Sequence, residues 1–237
     1  MAAVSSPSRR RTEALSRERI VDAAVALLDD AGEGGLTFRA LSQALATGPG
    51  AIYHHVANKE ELLAAATDAV VAGTLADEPD GTPQDKVRAL ALGLFDAIDA
   101  HPWVAGGLTA SSWQATSPRI FEKVGRQVRD LGVPHDRWFT VTSVLVQYIL
   151  GAAAQNAANA RILGPDVDRD EFLGAVSTTW EELDTDEYAF TRTVADQMRS
   201  HDDREQFLEG IDLVLAGIGT TVRPTGTPVM PASPSRS

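Results

Sequence analysis

Between positions 37 and 59, Thr37, Arg39, Thr47, Gly48, Gly50, Ala51, Tyr53, His54 and Lys59 bring together hydroxyls, cations and residues too small to obstruct a close neighbour. An arginine guanidinium is a planar double donor that matches the O6 and N7 acceptors of guanine. Hydroxyl, imidazole and ammonium groups donate well to phosphate oxygens. Glycine and alanine let a backbone approach a bulky surface. The set suits the reading of a DNA duplex. Arg39 would meet a base edge, Tyr53, His54 and Lys59 would meet phosphates, and Thr37 at a helix N-terminus would hold another.

Bond-making chemistry is poorly served by comparison. The chain has no cysteine, which removes disulfides, thiolate zinc sites and thiol nucleophiles. Only five histidines are present, and the adjacent pair His54 and His55 would point about 100° apart on a helix, so they cannot share a metal. There is no G-x-S-x-G, no H-E-x-x-H and no phosphate-binding P-loop. Gly32, Gly34 and Gly35 follow a helical pattern instead of a strand, so they end a helix. Glu181-Glu182 and Asp202-Asp203 lie in charged surroundings that suit solvated faces. No catalytic residue, metal or cofactor is assigned, and the chain is not read as an enzyme. The alternative is a helical small-molecule-binding protein or enzyme without specific DNA binding.

Four short helical patterns must hold the nine residues. The first runs over 16–31, with Ser16 as its cap and Ile20, Ala23, Ala24, Leu27, Leu28 and Ala31 as one apolar stripe. Thr37 caps a second, whose apolar face is Phe38, Leu41, Ala44 and Leu45. A break at Thr47-Gly48 precedes Pro49, a residue suited to a first helical turn, and a short third helix turns Ile52 and Val56 inward. Asn58 caps a fourth, with Leu62, Leu63, Ala66 and Val70 inward. Helix, tight turn and short helix describe a helix-turn-helix, whose second helix presents its outer face to a major groove. Here that face is Gly50, Ala51, Tyr53 and His54.

The rest of the 237 residues reads as all-α. After the turn-rich stretch 78–83, helical periodicity recurs over about 84–100, 102–115, 118–131, 135–160, 168–182, 186–200 and 203–220. The expected organisation is a basic arm at 1–13, a DNA-binding domain at 14–70, a larger helical domain at 71–221 and a Pro-rich disordered tail at 222–237. Arg9-Arg10-Arg11 reads equally as a minor-groove arm and as a solvated tail. Arg137 and Arg161 bracket an uncharged stretch rich in Thr, Gln and Asn, read as a buried helix and not as a membrane span. No targeting signal is evident, so the expected location is cytoplasmic.

A net charge of -12 argues against a nucleic-acid partner until it is divided. Residues 1–63 hold 7 basic and 8 acidic groups, whereas residues 64–237 hold 14 and 25. The acidity belongs to the larger domain. It would repel DNA everywhere except at the docking face.

The run from Leu36 to Leu63 resembles the DNA-binding domain of the Tet repressor (TetR) family, and the likeness extends over about residues 14–70. Its most specific piece is Ile52-Tyr53-His54-His55-Val56-Ala57-Asn58-Lys59. The family usually places glycine then valine in the turn. This chain has Ala46-Thr47 and then Gly48, so Gly48 is expected to supply the conformational freedom. A fainter likeness to the Tet-repressor-type C-terminal domain covers His101-Pro102-Trp103-Val104-Ala105 and the stretch from Phe207 to Ile218. The resemblance implies a regulator, usually a repressor, released from a palindromic operator by a small-molecule inducer and dimeric through a four-helix bundle. It also implies an inducer other than tetracycline. The namesake's tetracycline–magnesium site needs a histidine and acidic help, whereas here only His101 is near and Gln155 falls where a glutamate would serve.

Residue patterns in the larger domain agree with that picture. His101, Trp103, Trp113, Tyr148 and Trp180 would line a pocket for a flat, largely apolar or aromatic ligand, or else fill the core. Gln147 and Gln155 share one face of the uncharged helix and would bond either to that ligand or across a subunit contact. Gly151, Ala154 and Ala158 permit close helix packing, and Ile211, Val214, Leu215 and Ile218 form a stripe that wants a partner helix. These seven are the expected homodimer interface.

Overall fold

The computed structural model describes residues 15–110, 116–163 and 167–222, so the arm, Trp113 and most of the expected tail lie outside the described residues. Every regular element among them is helical. The chain divides into two compact units, Met1–Ala69 and Val70–Ser237, and one helix runs across the boundary.

In the first unit, α1 (Arg17–Gly35), α2 (Phe38–Ala44), α3 (Pro49–Tyr53) and the start of α4 (Lys59–Thr74) form around a small apolar centre. Ser16 caps α1 by accepting from the Arg19 N–H at 3.3 Å, Thr37 caps α2 from Ala40 at 3.1 Å, and Asn58 caps α4 from Glu61 at 2.7 Å. Gly32 breaks α1 with φ 62, ahead of a last helical turn. Ile20, Ala24, Leu28, Leu41, Ile52, Val56, Leu62 and Ala66 are buried. Some expectations for inward residues change. Ala31 and Ala44 are exposed, and Leu63 and Val70 are only half-buried, while Thr67 is buried with its hydroxyl donating to the Leu63 carbonyl at 2.9 Å.

In the second unit, α5 (Pro83–Ala100) lies against α6 (Trp103–Ala110), α7 (Thr116–Asp130), α8 (Trp138–Leu163) and α11 (Asp203–Val222). A capping box between Thr82 and Asp85 starts α5, and Val87, Leu90, Ala91, Leu94, Phe95 and Ile98 bury its inner face. Ion pairs Arg88–Asp212 at 2.6 Å and Arg204–Asp96 at 3.1 Å tie α5 to α11 across the rim of this core. The remaining pair, α9 (Arg169–Glu181) and α10 (Ala189–Arg199), pack chiefly on each other through Leu173, Ser177 and Ala195. The helix α8, uncharged before Arg161, is not covered on all sides. It buries Leu145, Ile149, Ala153 and Ala157, and leaves Val144, Gln147, Gly151, Gln155 and Ala158 exposed. No helix of the described residues is long and apolar enough to cross a membrane.

Candidate nucleic-acid interface

The helix-turn-helix is built from beneath. Leu41 of α2 and Ile52 of α3 are fully buried, and Val56 is buried just beyond α3, so the two helices are held by their inner faces. The outer face then carries Gly50, Tyr53 and His54 in solvent, with Ala51 half-buried between them. A Cβ at Gly48 or Gly50 would meet nothing within 4 Å. The chain's own packing therefore does not demand glycine at either position.

Tyr53 is 53% exposed, yet it is not loose. Its ring stacks on Phe38, with centroids 4.3 Å apart and planes 14° from parallel, so α3 is braced against the start of α2. Arg39, one residue further along α2, is exposed and makes no ion pair among the described residues. Thr37 spends its acceptor on the α2 cap, which leaves the hydroxyl proton for an outside oxygen. Lys59 donates to the Glu33 carbonyl at the end of α1, which occupies one of the three N–H donors of its ammonium.

The turn departs from the sequence reading. Gly48 has φ -80 and ψ 150, values open to any residue, and Ala46 takes the left-handed position with φ 48. The turn thus forms with its left-handed residue two places earlier, and an alanine bears the steric cost that a glycine would avoid. Thr47 is half-buried in that turn, and its N–H donates to the Ser42 carbonyl at 3.0 Å.

The exit from α3 is held by charge. Arg17 donates through Nη1 to Glu61 Oε1 at 2.9 Å and to the His55 carbonyl at 3.2 Å. Glu61 Oε2 accepts from the Ala57 N–H at 2.8 Å. That backbone hydrogen bond first, and Arg17 second, hold the Glu61 carboxyl below the ordinary carboxylate range. No spacing rule links residues 17 and 61, so the sequence reading missed this group.

The second constellation is less unified. Trp103 is buried in the core, and His101 and Trp180 are half-buried. Tyr148 donates its hydroxyl to the Phe207 carbonyl at 3.2 Å and stacks on the Phe207 ring, so it is a packing residue in this state. Gln147 is exposed, and Gln155 donates to Asn159 at 3.2 Å. A recess of about 150 Å³ lined by Leu75, Arg119, Glu122, Lys123 and Arg126 involves none of these residues. Of the expected dimer residues, Ile211, Leu215 and Ile218 are buried in their own subunit and Val214 is half-buried. Gly151 and Ala158 are exposed and Ala154 is half-buried, and Leu213, which the sequence reading passed over, is 75% exposed.

Comparison with known proteins places this geometry. Residues 20–66 match the family described as bacterial regulatory proteins, tetR family, and residues 75–222 match the tetracyclin repressor-like C-terminal domain. The solved structure of SCO7222, a TetR transcriptional regulator from Streptomyces coelicolor, is 61% identical with a TM-score of 0.81, covering 89% of this chain and 100% of that one. BioQ solved with its double-stranded DNA operator is 25% identical with a TM-score of 0.59, covering 87% of this chain and 99% of that one. The HTH-type transcriptional repressor DrrR1 of Streptomyces coeruleorubidus is 30% identical over 152 residues, a match that spans 62% of this chain and 56% of that protein. With both of its halves matched and its helix-turn-helix intact, the chain belongs to the tetR family of bacterial transcriptional regulators.

Proposed function

We propose that the chain acts as a homodimeric repressor in the cytoplasm, bound to a palindromic operator and released from it by a small, largely apolar or aromatic molecule. The observation that carries the DNA reading is the outer face of α2 and α3. Arg39, Gly50, Tyr53 and His54 lie in solvent over a buried support of Leu41, Ile52 and Val56. Arg39 is assigned to a base edge, and Thr37, Tyr53, His54 and Lys59 to phosphates, while Thr47, Gly48, Gly50 and Ala51 let the backbone come close. One five-residue helix reads few base pairs, and a two-fold pair spaced by about 34 Å gains affinity by reading two half-sites.

The inducer reading rests on the match of residues 75–222 to a tetracyclin repressor-like domain. His101, Trp103, Gln147, Tyr148 and Gln155 remain its proposed contacts, with Trp113 outside the described residues. Tyr148 and Trp103 would have to leave their packed positions to meet a ligand. Release is then a shift between two states, and moving occupancy from 1:99 to 99:1 requires about 5.5 kcal/mol of differential affinity. The dimer is assigned to the exposed strip of α8 around Gly151, Ala154 and Ala158 together with α11. Ile211, Leu215 and Ile218 would support that contact from within their own subunit.

Selection of bound fragments from a random duplex library tests the reading. A palindromic consensus is expected, with affinity falling steeply as salt rises. Arg39→Ala should relax base preference at one position per half-site, and Lys59→Ala should weaken all duplexes alike. Recovery of no consensus, or a flat salt dependence, would reject it.

A further inference from the structure

We propose that Arg17 and Glu61 form a positioning clasp that aims the recognition helix α3, and that they do so without touching DNA. The proposal rests on the regulatory reading above. The support beneath α3 is apolar, from Ile52 and Val56, and apolar packing resists lifting of a helix more than sliding or pivoting. Beyond Tyr53, the last residue of α3, the His55 and Val56 N–H groups donate to the Ile52 carbonyl at 2.9 and 3.1 Å, which leaves the His55 carbonyl and the Ala57 N–H to side chains before α4 begins at Lys59. The clasp extends that hold to the rest of the segment. From the first turn of α1, Arg17 holds the His55 carbonyl at 3.2 Å and Glu61 Oε1 at 2.9 Å. The other oxygen of the same carboxylate holds the Ala57 N–H at 2.8 Å, and the Asn58 side chain fixes the Glu61 N–H at 2.7 Å.

Two alternate residues of the connecting segment, His55 and Ala57, are thereby pinned through their backbones. Neither depends on its own side chain for this. The carboxylate uses both of its oxygens, and Arg17 uses the planar Nη1 amino group for both of its bonds, so the pair sets an angle as well as a distance. The Arg17 and Glu61 side chains are 47% and 38% exposed, so the ion pair contributes little to fold stability. Its effect falls on direction. A recognition helix that pivots loses base-edge contacts, which need bidentate geometry, before it loses phosphate contacts, which tolerate more movement.

The competing assignment makes Arg17 a phosphate ligand, since it stands at a helix N-terminus on an exposed surface. The two assignments differ in what Glu61 does. Titrating the selected operator, and a duplex with one mismatch per half-site, with the wild-type chain, Arg17→Ala, Glu61→Ala, Arg17→Lys and the double alanine variant separates them. The clasp predicts a matched loss for Arg17→Ala and Glu61→Ala, of about fivefold or more on the operator and less on the mismatched duplex. It predicts a double variant no weaker than either single one, because both remove one unit. The salt slope should stay at the wild-type value, and Arg17→Lys, which keeps the charge but not the fork, should recover only part of the loss.

Loss of foldedness alone would lower the active fraction on both duplexes and leave their ratio unchanged, so an unchanged operator-to-mismatch ratio overturns the clasp. It is also overturned if Glu61→Ala binds like wild type while Arg17→Ala lowers the salt slope by about one, the mark of a lost phosphate contact. Wild-type binding that neither variant alters rejects the clasp alone. A wild-type chain that selects no duplex rejects the regulatory reading and the clasp with it.

Discussion

The rings of Phe38 and Tyr53 lie 4.3 Å apart and 14° from parallel, which couples the first residue of α2 to the last residue of α3. The face of Tyr53 thus braces the motif, and its hydroxyl, which makes no hydrogen bond among the described residues, is the one proposed to meet a phosphate. The tasks separate by substitution. Tyr53→Phe keeps the stack and removes a neutral donor, so it should weaken operator binding by about 0.5–1.5 kcal/mol with the salt slope and the melting temperature unchanged. Phe38→Ala keeps the hydroxyl and the slope, and should lower the stability of the first unit by at least the about 0.5–1.5 kcal/mol that such ring pairs contribute. Fluorescence anisotropy reads the first and thermal melts the second. Equal operator affinity for Tyr53→Phe and wild type would confine Tyr53 to the brace.

Ala46 occupies the left-handed region at φ 48, and Gly48 does not need its freedom at φ -80. Left-handed alanine costs about 1–2 kcal/mol, and glycine in its place costs about 0.4–1 kcal/mol through the entropy of the unfolded chain. Ala46→Gly should therefore stabilise the first unit by about 0.5 kcal/mol. Gly48→Ala should also stabilise it by about 0.4–1 kcal/mol, since a Cβ there meets nothing within 4 Å. The two variants should part company on DNA. Ala46→Gly leaves operator affinity near wild type, whereas Gly48→Ala adds a methyl on the docking side and weakens binding while raising the melting temperature. Chemical denaturation alongside operator titration gives both readings.

That pair of residues also marks where sequence reasoning reached its limit. Ser16, Thr37 and Asn58 were legible as caps because a cap is local chemistry within three residues. Ile52 and Val56 were legible as anchors because helical spacing carries the burial pattern. The choice between Ala46 and Gly48 was not legible, since residue type suggests glycine and only the path of the chain decides which position turns left-handed. Periodicity on α11 was also ambiguous. Ile211, Leu215 and Ile218 are a true stripe, but a stripe does not name its partner, and here it faces its own subunit while Leu213 faces out. Arg17 and Glu61 are 44 positions apart and meet only because α1 and the start of α4 converge, which no window along the chain can show.

Gly210 lets Tyr148 lie across α11. A Cβ built on Gly210 would fall 1.7 Å from the Tyr148 hydroxyl oxygen and 2.3 Å from its Cζ, inside any permitted contact. The ring is sandwiched against Phe207 and its hydroxyl is bonded to the Phe207 carbonyl, so it cannot swing aside without losing both. Gly210→Ala should destabilise the second unit by about 1–3 kcal/mol, the range for overpacking, despite the helix propensity that alanine adds. Adding Tyr148→Ala removes the clash, so the double variant should be more stable than the sum of the two single losses. Thermal melts of the four proteins form the cycle. Additive losses would place Tyr148 away from α11 in solution.

Gly151 gives the cleanest test of association, because its effect on the subunit and its effect on the dimer have opposite signs. It lies mid-helix in α8 on an exposed face, and a Cβ there would meet nothing within 4 Å of its own chain. Replacing a mid-helix glycine by leucine improves helix propensity by about 0.8 kcal/mol, so the isolated subunit should become slightly more stable. If α8 packs closely on α8 of a second copy, the same leucine intrudes at the point of nearest approach. Overpacking of about 1–3 kcal/mol would raise the dimer dissociation constant by about 5- to 150-fold. Gly151→Leu should then sediment as a lighter species at concentrations where wild type is dimeric. Its operator affinity should fall as well, because two recognition helices no longer arrive together. Leu213→Glu on the outward side of α11 is the companion variant, burying an uncompensated charge if that face is covered. A Gly151→Leu protein that keeps the wild-type mass at every concentration would move the interface off this strip of α8.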